Sequence, residues 1–252
     1  MTTSPSPLLP LVYSRLALVL VLVSFDFLLP LPSSIESPSD LLSFTDYRSL
    51  SFLSNPFKRA LGTFQVWDGV HYLRLSQRRG AQVEDIAFFP AYPLLISLLS
   101  PILGATLSGV LVNSGCYVLS GLILHHYTKR HVSSNPHFLQ ALMITYMLSP
   151  CNVFLTAVGA EGLTSLTVWS GALSVEEGWT AASLVCCFAA GMVKSTAGVA
   201  LAAFCVGREA QRRWRRGLEG LPLSAALLVV RLACCAFGAV WHDRNSRRLH
   251  CV

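Results

Sequence analysis

The sequence predicts an all-α polytopic membrane protein, a bundle of transmembrane helices with one long polar loop near its start. Three observations predict it. Hydrophobic residues make up 53% of the 252-residue chain and charged residues 13%, with a mean hydropathy of +0.54. That is too little charged surface to keep the apolar runs in water. The apolar runs recur along the whole chain, and one long segment, Ser33 to about Asp85, is polar. The basic residues punctuate the apolar runs instead of covering a polar face.

The first run, Leu16 to Leu31, follows Arg15 and is closed by Pro30 and Pro32. It is longer than an ordinary signal-peptide core and no A-x-A site follows, which predicts an uncleaved anchor with a cytosolic N-terminus and Asp26 at the interface. The next loop, about residues 33–85, then lies on the far side. Within it Val66, Val70, Leu73 and Gln77 recur at helical spacing and predict a short helix along the membrane surface. Further spans are predicted at Ile86–Leu103, Thr106–Leu124, Phe138–Ala157, Gly162–Val175, Thr180–Val206 and Leu221–Trp241. Pro90, Pro93, Pro101 and Pro150 interrupt backbone hydrogen bonding, which lipid tolerates where protein or a water-filled cavity satisfies the freed groups.

Six passes return the chain to the cytosol at Arg208, Arg212, Arg213, Arg215 and Arg216, as the positive-inside bias requires. The same count puts Lys129, Arg130 and His131 on the far side, so either one span is re-entrant or that basic loop breaks the bias. Residues 1–207 form the membrane domain, and residues 208–252 a basic linker and a divergent tail with one further span. The net charge of +6 does not point to nucleic acid, which would call for aromatics interleaved on a solvated basic surface. The eight cysteines lie in or beside apolar runs without C-x-x-C spacing, the pattern of small apolar filler and not of a zinc site.

The segment WDGVHYLRLSQRRGAQVEDIAFFPAYP, Trp67 to Pro93, carries the candidate chemistry. Asp68, Glu84 and Asp85 stand on the polar side of a boundary whose apolar side begins at Ile86. Partial desolvation there raises a carboxylate's basicity, so that it can take a proton from a hydroxyl. His71, three residues after Asp68, shares its face on a helix. The competing reading is a capping Asp with a His hydrogen-bonded to it. No D-x-D pair, G-x-x-x-x-G-K-[ST] loop, H-E-x-x-H or G-x-S-x-G is present, which disfavours nucleotide-driven chemistry and implies neither a metal nor a cofactor.

The tryptophan-aspartate, His71, Gly80, Glu84 and the block AFFPAYP, Ala87 to Pro93, resemble the first luminal loop and following helix of the GPI mannosyltransferase 2 family, the PIG-V type. LSPCNVFLTAVGAEGLTSL, Leu148 to Leu166, resembles that family's LSP-x-NVF block and following glutamate, here Glu161; FAAGMVKSTAG, Phe188 to Gly198, resembles its next element. The resemblance implies a GT-C-like helix bundle in the endoplasmic-reticulum membrane, adding the second, α1,6-linked mannose of the GPI precursor. The donor would be dolichyl-phosphate-mannose, the acceptor a mannosylated glucosaminyl-phosphatidylinositol lipid, and a small accessory subunit an allowed partner. By the same analogy Asp68 would be the general base of an inverting transfer. His71 and Glu84 would orient the acceptor or Asp68, Lys194 or Arg74 would pair with the donor phosphate, and Glu161 would bind substrate. Phe88, Phe89, Pro90 and Pro93 are expected to be architecture. Lys194, inside an apolar run, has snorkelling as its alternative.

The sequence departs from the family at several points. Lys194 stands where an arginine is usual, Gly159-Ala160 where tyrosine-serine precedes the glutamate, Val70 where an acid precedes the histidine, and Ala81 and Val83 where aromatics precede Glu84. Family members are longer, the recognisable blocks stop near Gly207, and the tail WHDRNSRRLHCV resembles none of their segments; a truncated isoform or gene-model error is the expectation. A non-enzymatic accessory or transport-like subunit, with Pro150 and Asn152 lining a pathway, is the alternative, as is another dolichyl-phosphate-dependent glycosyltransferase.

Overall fold

A computed structural model describes residues 6–28, 68–77, 88–149, 155, 157–216 and 225–237, without the side chains of 25–28 and 212–216. Every regular element among them is a helix. In chain order these are α1 (Leu8–Leu28), α2 (Asp68–Ser76), α3 (Ala91–Leu103), α4 (Ala105–His131), α5 (Pro136–Leu148), α6 (Glu161–Glu176), α7 (Thr180–Val193), α8 (Ser195–Arg216) and α9 (Ala225–Phe237). The all-helical expectation is met. Among the described residues one helix, Ala105–His131, is long and apolar enough to cross a membrane; α3, α7 and α9 are apolar but shorter.

Local chemistry sets several boundaries. Pro90 comes just before α3, and Pro93 lies in its first turn, where a missing N–H costs nothing because those donors have no intrahelical partner. The predicted start at Ile86 is therefore moved to Ala91. Gly104, at φ 80° and ψ 154°, makes the sharp corner into α4, a backbone region closed to residues with a Cβ. Asn135 caps α5 by accepting the His137 N–H at 2.9 Å, with Pro136 at the first helical position. α4 ends on Lys129, Arg130 and His131, cations at the negative end of its dipole.

Two expected spans are corrected. Thr180–Val206 is not one helix: Lys194 adopts an extended conformation (φ −165°, ψ 140°) and divides it into α7 and α8. Neither helix propensity nor proline marks this break; the Lys194 ammonium reaches Glu161 from it. The described part of Ile86–Leu103, residues 88–103, stays near the start of α4. Tyr92, in the first turn of α3, bonds to Gly109 in the second turn of α4, while Leu103 leads through Gly104 into the first turn of α4.

The bundle therefore has two distinct ends. α4 and α6 run side by side from one to the other: Asn113 touches Gly162 near their starts, and Tyr127 packs on Trp169 and reaches Glu176 near their finishes. α7 returns and α8 descends again, from Lys194 beside Glu161 to Arg208 beside Glu176. α1 runs against α4, with Leu11 at Gly121, Arg15 over the Tyr117 ring, and Val19, Leu22 and Val23 packed on the core at the Glu161 end. Arg130 and His131 thus share an end with Arg208, through the adjacent glutamates Glu177 and Glu176. The two basic clusters that the sequence count separated fall together here, because α3 stays beside the start of α4 and α7 and α8 are separate helices. The polar loop outside residues 68–77, Asp26, Pro150, Asn152 and the tail from Trp241 fall outside what is described.

Candidate active site

At the Glu161 end a core of Tyr72, Leu73, Tyr92, Ile96, Val110, Cys116, Val158, Ala160, Leu163 and Val193 gathers α2, α3, α4, α6 and α7. α2 is the helix expected from the Val66 to Gln77 spacing. Its buried face, Gly69, Tyr72, Leu73 and Ser76, packs inward and leaves Asp68 exposed at its first residue. There the carboxylate complements the positive end of the helix, so the geometry suits capping as well as catalysis.

Tyr72 joins α2 to the rest of the site. Its ring meets Phe88 and Tyr92 edge-on, at centroid distances of 5.1 Å and interplanar angles of 81° and 85°. Burial, and then the negative charges of Glu161 and Asp68, raise its hydroxyl pKa above the ordinary phenol range. Tyr72 shares its core with Ala160, so α2 brings Asp68 to the end of the bundle where Glu161 opens α6, 93 positions later in the sequence. His71 lies flat on Phe88, with centroids 4.6 Å apart and planes within 10°. Phe88 therefore holds the His71 ring in place as well as shaping the helix entry. Arg74 sits half-buried in the last turn of α2.

Glu161 opens α6, and its Oε1 accepts from Lys194 Nζ at 3.0 Å. Two residues predicted to bind substrate are thus each other's ion-pair partners, and pairing replaces snorkelling as the account of Lys194. About a third of each side chain remains exposed, 32% for Glu161 and 35% for Lys194, so the pair is open to a ligand. Asp68, His71, Arg74, Glu161 and Lys194 fall at one end of the molecule, while Glu84 lies outside the described residues.

Sequence reasoning missed Tyr92 and Asn113. Asn113 Nδ2 donates to the Ala157 carbonyl at 2.7 Å, and its Oδ1 accepts from the Gly162 N–H at 2.6 Å. The Tyr92 hydroxyl accepts from the Gly159 N–H at 3.1 Å and donates to the Gly109 carbonyl at 2.9 Å. A lone asparagine inside the apolar run VLVNSGCYVL was the available signal, because such a group is costly to bury unless it is bonded.

The family model described as "Mannosyltransferase (PIG-V)" matches residues 8–240, from the first turn of α1 to beyond α9. The "GPI alpha-1,6-mannosyltransferase 2" of Homo sapiens is 29% identical over 154 residues, covering 56% of this chain and 31% of that protein. The Rattus norvegicus protein of the same name is 29% identical over 145 residues, covering 52% and 29%. The "GPI mannosyltransferase 2" of Yarrowia lipolytica is 26% identical over 125 residues, covering 50% and 35%. The matched region spans about a third of the length of these curated relatives. No solved structure matches.

Proposed function

The chain belongs to the mannosyltransferase (PIG-V) family, and on that premise we propose that it transfers mannose from dolichyl-phosphate-mannose to a GPI-anchor precursor. The transfer adds the second mannose in α1,6 linkage, on the luminal side of the endoplasmic-reticulum membrane. The observation that carries the reading is that Asp68, exposed at the start of α2, and the partly exposed Glu161–Lys194 pair stand at one end of the bundle, where Tyr72 and Leu73 share a core with Ala160 and Val193.

In this reading Asp68 removes the proton from the acceptor hydroxyl as that oxygen attacks the anomeric carbon. The carbon–oxygen bond to dolichyl phosphate breaks on the opposite face, and the configuration inverts. The bond-making oxygen becomes neutral, Asp68 holds the proton, and dolichyl phosphate leaves with the electron pair. Lys194 supplies positive charge for the departing phosphate, with Glu161 holding the ammonium in place. Arg74 is the second cation available to it. His71, flat on Phe88, and Glu84 orient the acceptor or Asp68. A small accessory subunit fits at the membrane surface.

Membrane placement follows from the two ends. Leu20, Leu98, Ile102, Leu148, Val185, Val199 and Val229 are all more than half exposed, on six different helices, a surface suited to lipid. The end bearing Lys129, Arg130, His131 and the Arg208 cluster faces the cytosol under the positive-inside bias. The Glu161 end and α2 then face the lumen.

The test is complementation of cells lacking the second GPI mannosyltransferase, scored by surface GPI-anchored protein, with Asp68→Asn as control. Rescue by the native chain that is lost in Asp68→Asn supports the reading. Rescue by both removes Asp68 from the base role. No rescue, with membrane expression verified, favours an inactive product or the non-enzymatic accessory role.

A further inference from the structure

Glu161 follows a non-helical stretch, residues 157–160, and its position depends on what holds that backbone. Three of the polar backbone groups between Ala157 and Gly162 end on two side chains from other helices: the Ala157 carbonyl and Gly162 N–H on Asn113, the Gly159 N–H on Tyr92. Both side chains are fully buried. The bonds to Asn113 fall on either side of Glu161, one five residues later than the other. Among side chains of this size an amide offers a donor and an acceptor together; a carboxylate at neutral pH lacks the donor, and leucine lacks both.

The approach is too close for variation. A Cβ built on Gly162 would stand 2.5 Å from the Asn113 carbonyl oxygen, so α6 starts against the α4 backbone with no room for a side chain. Lys194 comes from the opposite direction, at the break between α7 and α8. A small rotation of the first turn of α6 would carry the Glu161 carboxylate away from an ammonium that has no helix of its own to adjust along.

We propose that Asn113 is a positioning residue, whose amide fixes the backbone on both sides of Glu161 so that its carboxylate meets Lys194, with Tyr92 as the second tie. The claim rests on the mannosyltransferase reading for what the pair acts upon, and on geometry alone for the pairing itself.

The experiment has two arms, both on the 252-residue chain. In solubilised protein, the melting-temperature coupling between Glu161→Gln and Lys194→Met is measured by a double-mutant cycle, in the native background, in Asn113→Ala and in Asn113→Asp. Ser120→Ala serves as control, because Ser120 is also buried on α4 but bonds to its own helix and to Tyr146. The coupling should vanish in Asn113→Ala, shrink in Asn113→Asp, which keeps the acceptor for Gly162, and persist in Ser120→Ala. In microsomes, Asn113→Ala should lower kcat for mannose transfer about tenfold or more, with KM nearly unchanged. Intact coupling in Asn113→Ala, or a fall in kcat no larger than in Ser120→Ala, overturns the proposal. If Asn113→Ala does not fold, the Asn113→Asp cycle decides in the same way. Coupling that is present in the native background and lost in Asn113→Ala, while the native chain transfers no mannose, retires the transferase reading and leaves the positioning role standing.

Discussion

At one end of the bundle Glu161 meets Lys194 with about a third of each side chain exposed; at the other, the Glu176 side chain is 3% exposed and bound to Arg208, with Tyr127 donating to it at 3.5 Å. Glu177, beside it, takes Arg130 at 2.8 Å and His131 at 3.1 Å. The arrangements differ in purpose. The second ties the last turns of α4 and α6 to Arg208 of α8, with two partners for each acid. The first is a single pair at two irregular points of backbone, beside α2 and its exposed Asp68. Redundant contacts have gone to the end that must hold the helices together, and the end with the candidate chemistry keeps an acid and a base within reach of a ligand.

Four substitutions would break or sharpen that contrast. Asp68→Asn should reduce mannose transfer the most, by about 10²-fold or more, the usual yield of a positioned base, while circular dichroism and melting stay near those of the native chain. Retention of transfer would dissolve the distinction between the ends. Glu176→Ala should have the opposite signature: it strands Arg208 and costs about 3 kcal/mol of stability, read as a lower melting temperature, with kcat per folded molecule unchanged. Gly162→Ala should cost about 1–3 kcal/mol by overpacking against Asn113 and lower transfer as well, because it displaces the start of α6. Lys194→Arg, which restores the residue usual in the family, should change transfer only about twofold to threefold, since the guanidinium can still pair with Glu161. A large loss there would mean that the ammonium's compact charge matters at this site.

The helical class was legible because it follows from composition, and α2 because its apolar residues recur at helical spacing. α5 could be read from Asn135-Pro136, a cap and first-turn pair. The break at Lys194 was not legible. The flanking VCCFAAGMV and STAGVALAAF are both good helix, and the partner that the Lys194 ammonium meets at the break is a carboxylate 33 residues away. The same reason hid Tyr92 and Asn113, whose partners lie 67 and 44 to 49 positions distant. Asp68, Glu161 and Lys194 could be singled out one by one from residue type and resemblance. That two of them pair, and that all three fall at one end of the bundle, is a property of helix packing that no single stretch records.

The break at Lys194 also limits depth. α7 has 14 residues, which at 1.5 Å per residue is about 21 Å, against about 30 Å for an ordinary hydrocarbon core. If Thr180 starts at one surface of a bilayer, the ammonium ends about 9 Å short of the other by the same arithmetic. A bilayer meets such a shortfall by thinning around the short helix or by admitting water to the charge. Either response would keep the Lys194–Glu161 pair in contact with water at a depth that a longer helix would carry through hydrocarbon.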